Sequence, residues 1–320
     1  MELEGVIGHE SVLPRIIPVV ESNGGTFLFH GPPSVGKRTV AFETCRKILC
    51  TGGRVPTCTC ASCKKFGSGT HPDFMCVGRL GKIKVADVDS VLEFTLTAPF
   101  LSGRKVVVLD NAEDITWEAA NRLLKVLEEP PGGMFFFLIT SNPSMLLPTV
   151  FSRCVQIEFG HLSPTDVMNV LFNKMGFDLP QARVLGWLAA GSTIDIFPKA
   201  SQYLRYRDMA FEIVSQTRSR SLIDCLDYID KIERDGTGIF ADMIIMVLTD
   251  IMLVQNQINQ MIMNVDLTDQ IVKLAGQFNV KAMTAIVSTM SQVKKDSGLN
   301  VNLNMALKNA LIKSYPYFTA

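Results

Sequence analysis

Gly31-Pro32-Pro33-Ser34-Val35-Gly36-Lys37-Arg38-Thr39 decides how the rest of the chain is read. An apolar run, Thr26-Phe27-Leu28-Phe29-His30, precedes it, and an amphipathic stretch from Val40 to Leu49 follows. Strand, glycine loop and helix in that order is the setting of a phosphate-binding loop. Gly31 and Gly36 let backbone N–H groups curl around phosphate oxygens, and the helix N-terminus adds the positive end of its dipole. Lys37 would reach the outer phosphates. The pattern asks for Ser or Thr directly after the Lys, to hold Mg²⁺. Arg38 stands there instead, and the hydroxyl comes one residue late, at Thr39.

A second half of such a site follows at Val106-Val107-Val108-Leu109-Asp110-Asn111. A β-branched run ending in Asp places a carboxylate, Asp110, where it orients Mg²⁺; a buried parallel strand would look the same without any metal role. In many phosphate-loop ATPases the next residue is Glu and polarises the attacking water. Here it is Asn111, which is no base, and Glu113 falls past the strand end. A further apolar strand, Met134 to Thr140, ends in Ser141-Asn142. Those polar groups, Asn142 among them, either face a bound phosphate or cap the next turn.

Between the two halves lies Cys50-Thr51-Gly52-Gly53-Arg54-Val55-Pro56-Thr57-Cys58-Thr59-Cys60-Ala61-Ser62-Cys63. Four cysteines crowded into one polar loop predict a closed tetrahedral thiolate site for Zn²⁺, with Cys50, Cys58, Cys60 and Cys63 as ligands. Cys58-x-Cys60 is tighter than the usual knuckle spacing, and the plain alternative is a surface loop with incidental cysteines. Cys45, Cys76, Cys154 and Cys225 fall in apolar or periodic stretches and read as buried thiols. His71, before Pro72, reads as a structural residue rather than a spare ligand.

The fold follows from the alternation. A lead-in helix around Val12–Val20, a first strand, the loop helix, and strands near Phe74–Val77, Val106–Leu109, Met134–Thr140 and Val155–Phe159 alternate with helices, Val85–Leu96 and Trp117–Glu129 among them. That pattern predicts a parallel sheet covered on both faces over residues 1–160. At Leu162-Ser163-Pro164 the pattern turns wholly helical. Short helices are expected over 161–204 and longer ones over 205–320, broken near Asp235-Gly236-Thr237-Gly238, Asn264-Val265-Asp266 and Ser297-Gly298.

Composition bounds the class. A chain of 320 residues with 47% hydrophobic and 19% charged residues is globular with sizeable cores. Lys plus Arg and Asp plus Glu balance at 31 each, so net charge carries no nucleic-acid signature, and any DNA contact is local. No Arg-rich or apolar leader follows Met1, and the richest apolar stretch, Met243 to Val254, is interrupted by Asp250. A soluble, cytoplasmic protein with no membrane partner is expected.

With these residues in view, the chain resembles the clamp-loader AAA+ proteins of bacterial DNA polymerase III, the delta prime type most closely. The carriers are the phosphate loop, the cysteine insertion after its helix, Thr70-His71-Pro72-Asp73, Asn121-Arg122-Leu123-Leu124-Lys125-Val126-Leu127-Glu128-Glu129-Pro130-Pro131, Thr140-Ser141-Asn142-Pro143 with Leu146-Leu147-Pro148-Thr149, and Ser152-Arg153-Cys154. The resemblance implies an α/β AAA+ core (1–160) with the zinc insertion (50–63), a small helical lid (161–204) and an all-α collar (205–320). It implies a subunit of a hetero-oligomeric ring that places a sliding clamp on primed DNA. The Arg of Ser-Arg-Cys is that family's arginine finger, so Arg153 would complete a neighbouring subunit's ATP site. Arg38, Asn111 and Ile194 (where family ATPases carry a lid Arg) all depart from the hydrolysing pattern. An ATPase-defective subunit is therefore expected, with ATP and Mg²⁺ held weakly or not at all. The alternatives are an active gamma/tau-like motor using Thr39 and Glu113, and a small-molecule kinase, against which the long helical C-terminal half argues.

Overall fold

The computed structural model describes residues 6–53, 57–79, 81–189, 197–216, 221–233, 236–296 and 303–319. It divides into two compact units, Met1–Ser163 and Pro164–Ala320.

The first unit is a parallel sheet between helices. Its strands are β1 (Gly25–His30), β2 (Phe74–Val77), β3 (Lys105–Leu109), β4 (Met134–Thr140) and β5 (Val155–Glu158), in the order β2-β3-β4-β1-β5. The helices are α1 (Leu13–Glu21), α2 (Lys37–Leu49), α3 (Ala61–Gly67), α4 (Val85–Leu96), α5 (Trp117–Glu128) and α6 (Pro148–Phe151). Every residue of β3 and β4 is buried, which is why these strands read as unbroken apolar runs. Side chains alternate between faces, so β4 supplies both cores. Phe135, Phe137 and Ile139 pack with Phe27, Phe29, Val40 and Ile48 on the α1/α2 side. Met134, Phe136 and Leu138 pack with Val88, Val91, Leu123 and Leu127 on the α4/α5 side. Phe137 meets Phe27 and Phe29 at ring distances of 5.5 and 5.4 Å, contacts worth about 0.5–1.5 kcal/mol each beyond area burial. Thr116 caps α5, its hydroxyl accepting from the Ala119 N–H.

A brace crosses this unit. The Asp73 N–H donates to His71 Nδ1 (3.0 Å), so the imidazole carries its proton on Nε2 and gives it to Ser62 Oγ (2.8 Å). Ser62 in turn donates to the Leu49 carbonyl, which ends α2. His71 is thus a buried structural residue, as its place before Pro72 suggested. The Asp73 carboxylate accepts from the N–H groups of Phe100, Leu101 and Ser102 and from the Ser102 hydroxyl, tying the loop ahead of β3 to the start of β2.

The second unit is helical among its described residues: α7 (Pro164–Met175), α8 (Leu179–Leu188), α9 (Ala200–Gln216), α10 (Leu222–Ile229), α11 (Thr237–Gln255), α12 (Thr268–Ala275), α13 (Val280–Asp296) and α14 (Leu303–Thr319). α11 is long and apolar enough on composition to cross a membrane. It serves here as the core helix, with Phe240, Met243, Ile244, Val247, Leu248 and Ile251 buried against neighbours such as Tyr206, Met283 and Leu311. Asp250, inside that apolar run, is buried and accepts from the N–H groups of Met263 and Asn264 and from the Asn264 side chain. It therefore anchors the break that the sequence placed near Asn264.

Candidate functional site

The strand ends bring the phosphate-loop residues together. His30 of β1 pairs with Thr140 of β4, and Leu109 of β3 pairs with Leu138 of β4. Gly31, Asp110 and Ser141 each follow their strand, at the carboxyl edge where parallel sheets hold ligands. Gly31 has φ +143°, and a Cβ there would lie 2.2 Å from the Phe159 carbonyl oxygen, so only glycine lets the chain leave β1. Ser34 and Gly36 take left-handed angles and turn the loop into α2. His9 braces the loop from outside, with Nε2 against the Val35 carbonyl oxygen and its ring edge on Phe159.

Lys37 is buried and points into the loop. Its ammonium donates to the carbonyls of Gly31 (2.7 Å) and Pro32 (2.6 Å) and to Ser141 Oγ (3.1 Å). Burial lowers its pKa, and the charges of Glu113 and Asp110 oppose that fall. Of the Ser141-Asn142 pair it is Ser141 that meets the lysine. The Asn142 side chain accepts from the Ser144 hydroxyl and its backbone N–H donates to Thr140 Oγ1, so both are spent on bonds within this turn.

Arg38 meets Asp110, Nη1 to Oδ2, at 3.2 Å. The same guanidinium lies 5.0 Å from the centre of the Phe42 ring. Asp110 is almost wholly buried, while Thr39 is exposed on α2. The residue after Asp110 is held in a left-handed turn: Asn111 has φ 54°, and its amide donates to the Gly78 carbonyl at 3.4 Å. Asn tolerates that conformation better than Glu does. Glu113 sits in the short 3₁₀ turn Ala112–Asp114 and accepts the Ser141 N–H at 3.0 Å. The loop thus brings two cations, Lys37 and Arg38, together with two carboxylates, Asp110 and Glu113. His9 carries more of this geometry than its sequence position announced, whereas Glu113 and Ser141 were announced by their places just past strand ends.

Arg153 lies between α6 and β5, at the edge of the sheet remote from β2. Its Nε pairs with Glu128 Oε2 at 3.0 Å, and Nη1 donates to the Thr149 carbonyl at 2.9 Å. Glu158 is the nearer acid in sequence, but the partner is Glu128, which reaches Arg153 from the end of α5, packed on α6. Ile194 lies outside the described residues.

The four cysteines of the insertion converge. The sulfurs of Cys50, Cys58, Cys60 and Cys63 all lie within 4.8 Å of one another. Thiolates about 2.3 Å from a tetrahedral zinc are spaced compatibly with that limit. Cys50 ends α2 and Cys60 caps α3, its sulfur accepting the Cys63 N–H at 3.4 Å. Cys58 and Cys60 both pack against Gly52, where a Cβ would lie 2.6 Å from Cys58 Sγ and 3.4 Å from Cys60 Cβ. Hydrogen bonds from Thr51 and the Cys63 N–H lower the Cys60 thiol to about 5, and burial beside the other thiols pushes Cys63 up. All-sulfur donors, three of them half-buried and one buried, fit Zn²⁺. The other cysteines are not drawn into the cluster; burial pushes Cys154 up to about 12 and raises Cys45 and Cys76.

Comparison with known proteins completes the site's context. A family model described as DNA polymerase III, delta subunit, matches residues 21–163, and one described as DNA polymerase III, delta subunit, C terminal, matches residues 206–314. The chain is 41% identical over 135 residues to DNA polymerase III subunit delta' of Pseudomonas aeruginosa, 41% of each chain. It is 26% identical over 299 residues to subunit delta' of Bacillus subtilis, 89% of each chain. It is 30% identical over 242 residues to subunit tau of Salmonella typhimurium, which covers 73% of this chain and 33% of that one. The match thus spans less than half of the Pseudomonas relative and a third of the Salmonella one.

Proposed function

We propose that this chain, which belongs to the DNA polymerase III delta-subunit family, is a clamp-loader subunit of the delta prime type that does not hydrolyse ATP itself. It works in a hetero-oligomer with tau- or gamma-like subunits, acts on the sliding clamp, and reaches primed DNA through the complex. Its place is the cytoplasm. The observation that carries this reading is the pairing of Arg38 with Asp110 beside Asn111. The position for the metal-binding hydroxyl holds a guanidinium, and the position for the water-activating Glu holds an amide committed to a turn.

What the chain offers is Arg153. In a phosphoryl-transfer site the charge that builds on the transferring group is neutralised by fixed cations, and a finger arginine from a neighbour is one of them. The position of Arg153 just before the edge strand β5 supports that role. Its bond to Glu128 involves an acid side chain that is 56% exposed, and such a pair is worth about 0–1 kcal/mol. Giving it up for a phosphate costs little.

Gly31, Gly36, Lys37, Arg38, Thr39 and Asp110 are then the remnant of a nucleotide site, while Asn142, expected there from sequence, is spent on the turn after β4. Cys50, Cys58, Cys60 and Cys63 would hold one Zn²⁺ as thiolates. The metal would join the end of α2 to α3 and leave no open position for water, so its role is structural. Within the helical unit, residues 161–204 would be the lid and 205–320 the collar through which subunits join, with the single helix α9 running across that boundary.

Two measurements test this. The isolated chain should turn over ATP no faster than its Lys37→Ala variant. A complex rebuilt with tau- or gamma-like partners should turn over ATP only with this chain present. Turnover by the isolated chain at the complex's rate, abolished by Lys37→Ala, would instead establish the motor reading, with Thr39 and Glu113 as stand-ins.

A further inference from the structure

In a working phosphate loop the buried carboxylate after the second strand is kept for a divalent cation. Here that carboxylate, Asp110, already has a cation: Arg38 Nη1 at 3.2 Å. The guanidinium is held from a second side by the Phe42 ring, 5.0 Å away. The hydroxyl that would ligate Mg²⁺ is missing from position 38, and Thr39 is exposed one residue on. The residues present do not fit Mg²⁺.

We propose that Arg38 is this loop's built-in replacement for the divalent cation, and that the loop takes a nucleotide triphosphate in metal-free form. The inference rests on Gly31–Thr39 being a phosphate loop. Before any ligand arrives, Lys37 and Arg38 balance Asp110 and Glu113. A divalent ion entering beside Asp110 meets a like charge already seated there, and the two repel. A phosphate finds the opposite. The guanidinium presents a planar fork of five N–H donors suited to phosphate oxygens, of which the contact to Asp110 uses a part. Lys37 lies beside it, and its bonds to Gly31, Pro32 and Ser141 are ones that phosphate oxygens can replace.

The test is calorimetric titration of the full chain with ATP, in buffer freed of divalent ions by a chelating resin and then with Mg²⁺ restored. No soluble chelator is used, so the cysteine cluster keeps its metal. The proposal expects binding without Mg²⁺ and no gain when Mg²⁺ is added, with a loss to the extent that Mg²⁺ sequesters the ATP. Arg38→Thr should reverse this, its affinity rising about tenfold on adding Mg²⁺. Failure of ATP to bind the wild-type chain in either buffer overturns the proposal. So does a gain of about tenfold with Mg²⁺ in the wild-type chain, a result that needs no variant to fold. The subunit reading is tested separately, through Arg153 in the assembled complex, so either idea can fall while the other stands.

Discussion

Asp73 holds Ser102 twice through one carboxylate oxygen, accepting the backbone N–H at 2.8 Å and the hydroxyl at 2.9 Å. Burial alone would push this carboxyl up, but the N–H groups of Phe100, Leu101 and Ser102 and the Ser102 hydroxyl overcome burial and hold it below its ordinary value. A depressed acid contributes stability that is present above its unfolded pKa and is lost as pH falls through its folded pKa. Asp73→Asn turns an acceptor into a donor facing three N–H groups and should cost about 1.5–3 kcal/mol at neutral pH. The gap between variant and wild type should close as pH falls below the carboxylate range. Thermal melts at a series of pH values check this; a gap of constant size across the series would show that the charge on Asp73 contributes nothing.

The cysteine cluster should hold about one zinc per chain in protein purified without chelator, as read by elemental analysis. Closed sites of this kind contribute on the order of 10 kcal/mol in model peptides. Cys63→Ser removes the one buried ligand and should both empty the site and lower the melting temperature. Cys225→Ser, in α10 of the other unit, should leave the zinc content unchanged. Zinc far below one per chain in the wild type would return the loop to an incidental group of thiols.

Phe240 is fully buried in α11, edge-on to Tyr206 at 6.2 Å. Removing the ring should cost about 3–5 kcal/mol. If the helical unit joins the subunits, Phe240→Ala should weaken assembly with partner subunits while zinc content stays intact. Gel filtration of the mixed subunits and elemental analysis of the same sample measure both. Full assembly despite a large fall in melting temperature would place the joining surface outside this helical unit.

Much of the fold was legible because its signals are local. β3 and β4 are buried on both faces and read as apolar runs, and α5 carries its cap and its proline stop in the sequence. The cysteine cluster was legible from spacing, although the Cys58-x-Cys60 step is tighter than a usual knuckle; the bare Gly52 gives both residues room to approach. What was not legible is which distant groups long side chains choose. Arg38 could be recognised as out of place, but nothing local shows it reaching Asp110. Glu158 is the nearer acid to Arg153 in sequence, yet helix packing brings Glu128 instead. Nothing beside Asp73 in sequence announces its partners, which lie in a loop beyond the next helix.

The central claim is that Arg153 acts on a nucleotide held by another subunit. Its contacts within this chain are an exposed pair with Glu128 and one carbonyl, so Arg153→Ala should cost this chain no more than about 1 kcal/mol of stability and should leave assembly intact. The most direct measurement is the ATP turnover of the rebuilt complex, with clamp and primed DNA present, carrying Arg153→Ala in this chain alone. The account predicts that turnover at the neighbouring site falls by about 10³–10⁵, with clamp loading lost alongside it. A complex that assembles normally and keeps its full rate would contradict the account.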